Sequence, residues 1–478
     1  MHGAIDPSRP LPVYVQLKTL LLEQILRGRY APGARLPTEH ELCETYGISR
    51  TPVNRALSEL AEEGVVLRHR RRGSFVNPHW SAGASSTSEV RVLVPDGRWE
   101  ELIREVAPNG MALNIATVDL ADLHHFLVHA IAEGRAPDLA VIDSVWTREF
   151  AESGFLAPLD ELDPGWIREE YETDFLEPFR SANRYEGRPV AAQAEADVAG
   201  LWYRRTDLDA VGLPVPRTWD QLAEVLRVLR GRGGHAPLTF PGGSRGGETT
   251  TYCLLALLAA NGSTVVGRDR ITLRTDRTVE CLDFLHRLVA EGLVGGDVVS
   301  YEWDRPIRQL AHGQASLALG GSYDAVALAA AASLPRDRLL DEFGFVSVPT
   351  GPHGVDTTLS GGMAYAIFRQ ARNPGSAMRL LRDVVSTGAQ VTMSRTTWQL
   401  ASRESAVARV SEESPFLRTT GRMLAGATVR PATAQYARVS AQLQAMLEAV
   451  LVGRLDPESA CSRAAEMINA ITGLPVAG

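Results

Sequence analysis

Apolar residues recur at helical spacing three times within the first eighty positions. Val13, Leu17, Leu20, Leu21 and Ile25 share one face of a helix predicted over 13–28, which would cover a small core. Thr38 followed by Glu41 is a capping box and predicts a short helix over 40–46. Leu42 and Cys43 would point toward that core, and Gly47 would end the helix. Ser49 is placed to cap the next helix, whose first turn tolerates Pro52. In it Val53, Ala56, Leu57 and Leu60 form a buried stripe, leaving Arg50, Thr51, Asn54, Arg55 and Ser58 on the other side. After Gly64 the run 65–69 is rich in strand-forming residues. Arg70, Arg71 and Arg72 then precede Gly73, and 74–76 reads as a second strand, giving a hairpin with a cationic tip.

Beyond residue 77 the pattern changes. Small polar residues fill a linker over 79–89, and from residue 90 strand-like and helix-like runs alternate. VRVLVP, LNIATV and DLAVID are strand patterns, and helices are expected over 123–133 and from Trp146. Such alternation predicts parallel sheets with helices on both faces, with ligands beyond the carboxyl ends of the strands. That rule nominates Asp96 and Trp99 in one loop, and Asp143, Ser144 and Trp146 in another.

The first segment has the layout of a winged helix-turn-helix, two short helices about a glycine turn followed by the hairpin as a wing, with the second helix entering the DNA major groove by its N-terminal end. The arginine hairpin suits phosphate or minor-groove contact beside it. Charge agrees. Residues 1–80 carry 11 Lys and Arg against 8 Asp and Glu, a net of +3, while the rest carries 38 against 49, a net of −11. A length of 478 residues suggests about three domains. There is no run of 18 apolar residues, and the N-terminus lacks the pattern of a secretory signal. Cys43, Cys253, Cys281 and Cys461 are scattered without metal-ligand spacing, as expected of free thiols in a reducing compartment. A cytoplasmic protein without a membrane segment, cofactor or bound metal is therefore expected.

The segment 14–76 resembles the N-terminal domain of GntR-family regulators. The residues that carry the likeness are Arg35, Leu36, Pro37, Thr38 and Glu39, then Gly47, Ile48, Ser49 and Arg50, then Ala56, Leu57 and Leu60, and finally Gly73, Phe75 and Val76. The resemblance implies a homodimer on a pseudo-palindromic double-stranded operator, with Arg35, Arg50, Thr51 and Gly73 at the DNA. Thr38, Asn54, Arg55, Arg70, Arg71 and Arg72 complete the expected contact set. Where the family often has arginine this chain has Asn54, and asparagine prefers adenine edges.

The remainder, 90–478, is similar to the extracellular solute-binding proteins that serve sugar importers. The phrases are AEGRAPDLAVID, EFAESGFLAPLDEL, YEGRPVAAQAEADVAGLWYRRTDLDAVGLPVPRTWDQL and LSGGMAYAIFRQARNPGSAMRLLRDVVS, in that order. The likeness implies an α/β fold of two lobes, type II periplasmic-binding-protein-like, closing on a small molecule in an interlobe cleft. Exported members begin with a signal peptide or a lipidated cysteine, where this chain has its DNA-binding segment. The family often has asparagine where Arg204 follows Trp202 and Tyr203.

Sugars are held by aromatic faces against their C–H side and by carboxylates and amides at their hydroxyls. Trp99, Trp146, Trp202, Tyr203, Trp303, Tyr323 and Trp398 are the aromatic candidates; Asp96, Asp143, Gln193, Asp197 and Glu248 are the polar ones. Gly320, Gly321, Gly361 and Gly362 would let backbone approach a ligand, or serve ordinary turns. Trp219 reads as core at a helix start. The glycine-rich stretch 240–251 matches no phosphate loop and reads as a flexible loop. His125 and His129, i and i+4, have a spacing that can bind metal but no acidic or cysteine partner placed by sequence, and read as a solvated or half-buried helix face. No nucleophile–base constellation is visible, so no enzyme is expected. Some GntR heads are fused to pyridoxal-phosphate bodies, which need a Schiff-base lysine; the only lysine is Lys18, in the first helix. The expectation is a ligand-responsive regulator, a repressor with a carbohydrate effector. The alternative is a sugar-binding component of an importer.

Overall fold

The structure is a computed structural model. It describes residue 5 and residues 13–26, 28–62, 64–69, 73–78, 89–232 and 235–477. The contact network divides the chain into two compact units. The first comprises Met1–Thr173, Asn183–Gln193 and Met363–Ala389; the second comprises Asp174–Ala182, Ala194–Gly362 and Gln390–Gly478.

The first unit opens with helices α1 (Val13–Leu26), α2 (Glu39–Tyr46) and α3 (Arg50–Glu62) and strands β1 (Val66–His69) and β2 (Gly73–Val76). Thr38 caps α2 as expected. Its hydroxyl accepts from the Glu41 N–H at 3.2 Å, and Glu41 Oε2 accepts from the Thr38 N–H at 2.7 Å. Gly47 closes the helix in the left-handed region at φ 64°. The stripe Val53, Ala56, Leu57 and Leu60 is fully buried, packed with Leu17, Leu21, Leu36, Leu42 and Val66. The hairpin pairs Val66 with Val76 and His69 with Gly73. A bridge from Arg35 to Phe75 adds a short third segment to it. Helix α1 stops two residues before Gly28 and departs from its expected single buried face. Val15, Gln16, Leu17, Lys18 and Thr19 are all buried.

The same unit continues with β3 (Glu89–Val94), α4 (Gly97–Val106), β4 (Ala112–Thr117), α5 (Leu120–Ala132), β5 (Leu139–Asp143) and α6 (Trp146–Glu152). Strands β4, β3 and β5 lie side by side and parallel, as the alternation predicts. The chain then forms the small hairpin β6 (Arg184–Tyr185) and β7 (Arg188–Pro189) and the short strand β8 (Ala192–Gln193). The far edge of the sheet is not parallel. Strand β14 (Met363–Ile367), far along the chain, runs antiparallel to both β5 and β8, giving the order β4-β3-β5-β14-β8.

In the second unit β9 (Asp197–Arg204) is the central strand. β11 (Leu317–Gly321), β12 (Phe343–Val346) and β13 (Leu359–Gly361) all pair with it antiparallel. β10 (Leu238–Thr239) and β15 (Thr428–Val429) lie parallel to β11 and β13 at the edges. The sheet is thus mixed rather than parallel. Helices Trp219–Arg232, Glu248–Ala260, Asp276–Ala290 and Tyr436–Leu451 supply apolar faces to one large core, and Trp219 stacks on Phe284 at 4.7 Å within it. The glycine-rich stretch 240–251 is closely packed at Gly243 and Gly246, and from Glu248 onward it is helical. A Cβ on Gly243 would lie 2.3 Å from the Val299 carbonyl oxygen, and one on Gly246 would lie 2.4 Å from Pro241. Among the described residues no helix is long and apolar enough to cross a membrane.

Candidate DNA interface and effector sites

The turn between α2 and α3 brings the first residues of α3 to the surface. Arg50, Thr51, Asn54 and Arg55 are all exposed, because the buried stripe fixes which face turns inward. These four do not stand alike. Arg50 and Thr51 open the helix. The Asn54 amide donates to Glu39 Oε1 at 3.3 Å, which Arg68 also reaches at 2.6 Å. Arg55 is turned back: its guanidinium sits 3.7 Å above the Tyr14 ring and donates to Glu59 at 3.2 Å. Arg35 lies against the wing. A Cβ on Gly73 would come within 3.1 Å of its Nε, and Gly73 has a φ of +100° that favours glycine. Thr38 spends its hydroxyl on the α2 cap. Arg70, Arg71 and Arg72 lie outside the described residues.

The expected ligand residues of the first unit fall at the ends of β3 and β5. Asp96 caps α4, accepting from the Arg98 N–H at 3.0 Å and pairing with its side chain at 3.1 Å. Trp99 is fully buried with its ring edge-on to Tyr365 at 5.6 Å, so it packs the core and offers no face to a ligand. Asp143 accepts from the Val145 N–H at 3.1 Å, shaping the turn that holds the half-buried Ser144 and Trp146. His124 of α5 meets the Trp146 ring edge-to-face at 5.0 Å and Glu149 of α6 at 3.1 Å. Gln193 is wholly buried and accepts from Asn183 at 2.9 Å, and Asn183 in turn contacts Thr147 at 3.3 Å. Its amide serves the fold of this unit.

In the second unit two carboxylates gather partners. Glu248, the first residue of its helix, accepts from Arg430 at 3.2 Å, the Tyr436 hydroxyl at 2.5 Å and Ser440 at 2.8 Å. Asp197, the first residue of β9, accepts from the Tyr252 hydroxyl and from the Gly361 N–H at 3.1 Å. Tyr252 and Tyr323 lie with ring centroids 5.9 Å apart. Burial, and then the neighbouring acids Asp197 and Asp324 respectively, push both phenols up. Asp324 is also buried and accepts from the Gly321 N–H at 2.8 Å. Desolvation raises its carboxyl to about 7, only partly offset by that hydrogen bond. Arg430, Tyr436, Ser440 and Tyr252 were not singled out by sequence. Tyr436 and Ser440 stand one helical turn apart, the only trace of their shared task.

Residues 114–391 match the pattern of bacterial extracellular solute-binding proteins, and residues 13–76 match bacterial regulatory proteins of the gntR family. The chain belongs to the bacterial extracellular solute-binding protein family. Its N-terminal residues form a GntR-type head. The chain is 33% identical over 127 residues to the uncharacterized HTH-type transcriptional regulator YurK of Bacillus subtilis, covering 26% of this chain and 44% of that one. It is 42% identical over 73 residues to the HTH-type transcriptional repressor NagR of the same organism, covering 15% and 30%. It is 38% identical over 89 residues to the histidine utilization repressor of Klebsiella aerogenes, covering 19% and 36%. The chain therefore spans less than half the length of each of these relatives. The body has the fold of the GacH receptor of Streptomyces glaucescens (TM-score 0.71, 18% identity, 81% of this chain and 99% of that one), solved unliganded and with acarbose. It also shares the fold of a solute-binding protein of Thermotoga lettingae bound with α-D-tagatose (TM-score 0.71, 22% identity, 81% and 100%). A third neighbour is maltose-bound MalE3 of T. maritima (TM-score 0.69, 21% identity, 80% and 99%).

Within the solute-binding body the remaining aromatic candidates separate. Trp202 is fully buried and donates to the Gly321 carbonyl at 2.9 Å, and Tyr203 is buried beside it in β9. Trp398, at a φ of 60°, stacks on Phe416 at 5.3 Å, which stacks on Trp202 at 5.6 Å. Trp303 is 55% exposed. Arg204, the departure from the family's asparagine, donates to the carbonyls of Leu310 and Ala311 at 3.0 and 3.2 Å. It thereby satisfies the open end of the helix Arg305–Ala311. The glycines serve internal packing. A Cβ on Gly320 would meet Asp324 at 2.3 Å, one on Gly321 would meet the Tyr323 ring at 2.1 Å, and one on Gly361 would meet Arg430 at 2.9 Å. Gly362, at a φ of +125°, is the last residue of the second unit before β14 begins the return to the first.

Proposed function

We propose that this chain is a transcription regulator, a repressor, whose hold on DNA answers to a carbohydrate bound by its body. The observation that carries the reading is a single chain with Arg50 and Thr51 exposed at the start of a recognition helix and a solute-binding body behind it. In this reading a homodimer binds a pseudo-palindromic operator in the cytoplasm, each α3 entering a major groove by its N-terminal end. Support for repression comes from the relatives named as repressors. Support for a sugar comes from neighbours solved with acarbose, tagatose and maltose. Asp143 and Trp146 of the first unit, and Asp197, Glu248 and the exposed Trp303 of the second, are the proposed contacts. The body is proposed to bind and not to catalyse.

The test is operator affinity measured against a sugar panel. A sugar that binds the body should change operator affinity by about 5- to 150-fold, the usual span of allosteric coupling. Arg50→Ala removes a cation that would face a base edge or phosphate and should weaken operator binding by about 10- to 100-fold. It should leave the thermal stabilisation by sugar intact, about 2.7 kcal/mol at one hundred times the Kd. Promoter DNA that never binds, or operator affinity indifferent to every sugar the body holds, would overturn the reading.

A further inference from the structure

The first helix is covered on every side. Five consecutive buried residues, Val15 to Thr19, span more than one turn of 3.6 residues, so no face of α1 at that level is left to solvent. On one side Leu17, Leu21 and Ile25 complete the core of the head against Val53 and Leu57. On the other side Val15 belongs to the core of the body, with Leu123, Leu127 and Ile131 of α5. Just beyond α5, Gly134 has a φ of +69°, and a Cβ there would lie 2.3 Å from a methyl of Leu22. Glycine is needed at that spot because α1 approaches so closely.

Two polar ties join the same helix to α3. Lys18, 2% exposed, donates to Glu59 of α3 at 3.2 Å. Tyr14 packs against both cores and carries the Arg55 guanidinium of α3 on its ring. At its other end α5 carries His124, which touches Glu149 and Trp146 in the loop after β5.

We propose that α1 is the coupling element of this protein, a helix seated between the recognition helix and α5 so that a shift of α5 is delivered to α3 through Lys18 and Tyr14. Packed seats of this kind shift between discrete arrangements rather than deform smoothly. In this arrangement Arg55 is a positioning residue of the recognition helix, set by Tyr14, and not a base reader. The inference rests on the regulator reading for its use, while the seat itself can be tested without any sugar.

Hydrogen exchange of the full chain over residues 120–132 provides the test, comparing wild type, wild type with a duplex from its own promoter region, and Lys18→Met. The methionine keeps the apolar stem and removes the charge. Bound duplex should change exchange in wild-type α5 by about threefold or more, and that response should vanish in Lys18→Met. Without DNA, Lys18→Met should exchange about threefold faster than wild type in α5, although the substitution lies in the head. Duplex that binds and leaves wild-type α5 unchanged overturns the coupling while the regulator reading stands. Duplex that does not bind overturns the regulator reading, and the seat is then judged by the DNA-free comparison, where equal exchange refutes it. If Lys18→Met unfolds residues 50–62, Tyr14→Leu replaces it, since Tyr14 packs against both cores and carries the Arg55 guanidinium.

Discussion

Glu248 gathers three partners in the second unit, and removing it should destabilise that unit measurably. Its three partners are themselves buried: Arg430 at 9%, Tyr436 at 4% and Ser440 at 3% exposure. Glu248→Ala removes one acceptor from the Arg430 guanidinium and one from each of two hydroxyls. Breaking a buried pair by deleting one member costs about 3–5 kcal/mol. The Glu248 side chain is 36% exposed, so water re-enters and the lower end applies, about 3 kcal/mol. For a unit of this size that lowers the midpoint of thermal unfolding by roughly 6–10 °C. Glu248→Gln should cost far less, about 1 kcal/mol, because its carbonyl still accepts from Arg430 and Tyr436 while its amide donates to Ser440. Differential scanning calorimetry resolves the transition, and hydrogen exchange across Glu248–Ala260 assigns it to this unit. An Ala variant within about 1 °C of wild type would show that the network contributes nothing to the fold, and the reasoning would fail.

Two further outcomes follow from the same geometry. Asp324 titrates near 7 in the fold, whereas an unfolded aspartate titrates near 4. The native state therefore holds a proton that the unfolded chain releases, so this group's contribution is full below about pH 4 and declines as pH rises to about 7, by up to about 4 kcal/mol. Asp324→Asn stays neutral and still accepts from the Gly321 N–H, so unfolding midpoints of the second unit measured across that window should flatten relative to wild type; parallel curves would refute the assignment. Thr38→Ala deletes the hydroxyl half of the capping box and should cost about 1 kcal/mol. The head's transition should fall by roughly 5 °C in calorimetry, and no shift would mean that the box does not hold α2.

The head was legible from sequence because its determinants are local. A capping box, a turn glycine and a stripe at helical spacing act within a few residues, and Thr38, Gly47 and the Val53–Leu60 stripe stand where the pattern put them. The first three strands of the body were legible for the same reason. What sequence could not reveal were relations between distant segments. The antiparallel pairing of β14 with β5 joins residues more than two hundred positions apart, so nothing near either strand encodes it. Trp99 and Gln193 looked like ligand groups by type and position, yet the folded core consumes both, since only the partners Tyr365 and Asn183 reveal their use. Arg430 joins Glu248 across a similar distance. Helix α1 shows the division most plainly. Its sequence specified a helix with one apolar face, yet Gln16, Lys18 and Thr19 are buried as well, and Lys18 donates to Glu59. Periodicity records which residues avoid water within one element, whereas the identity of the neighbour that excludes it is a property of the whole chain's packing.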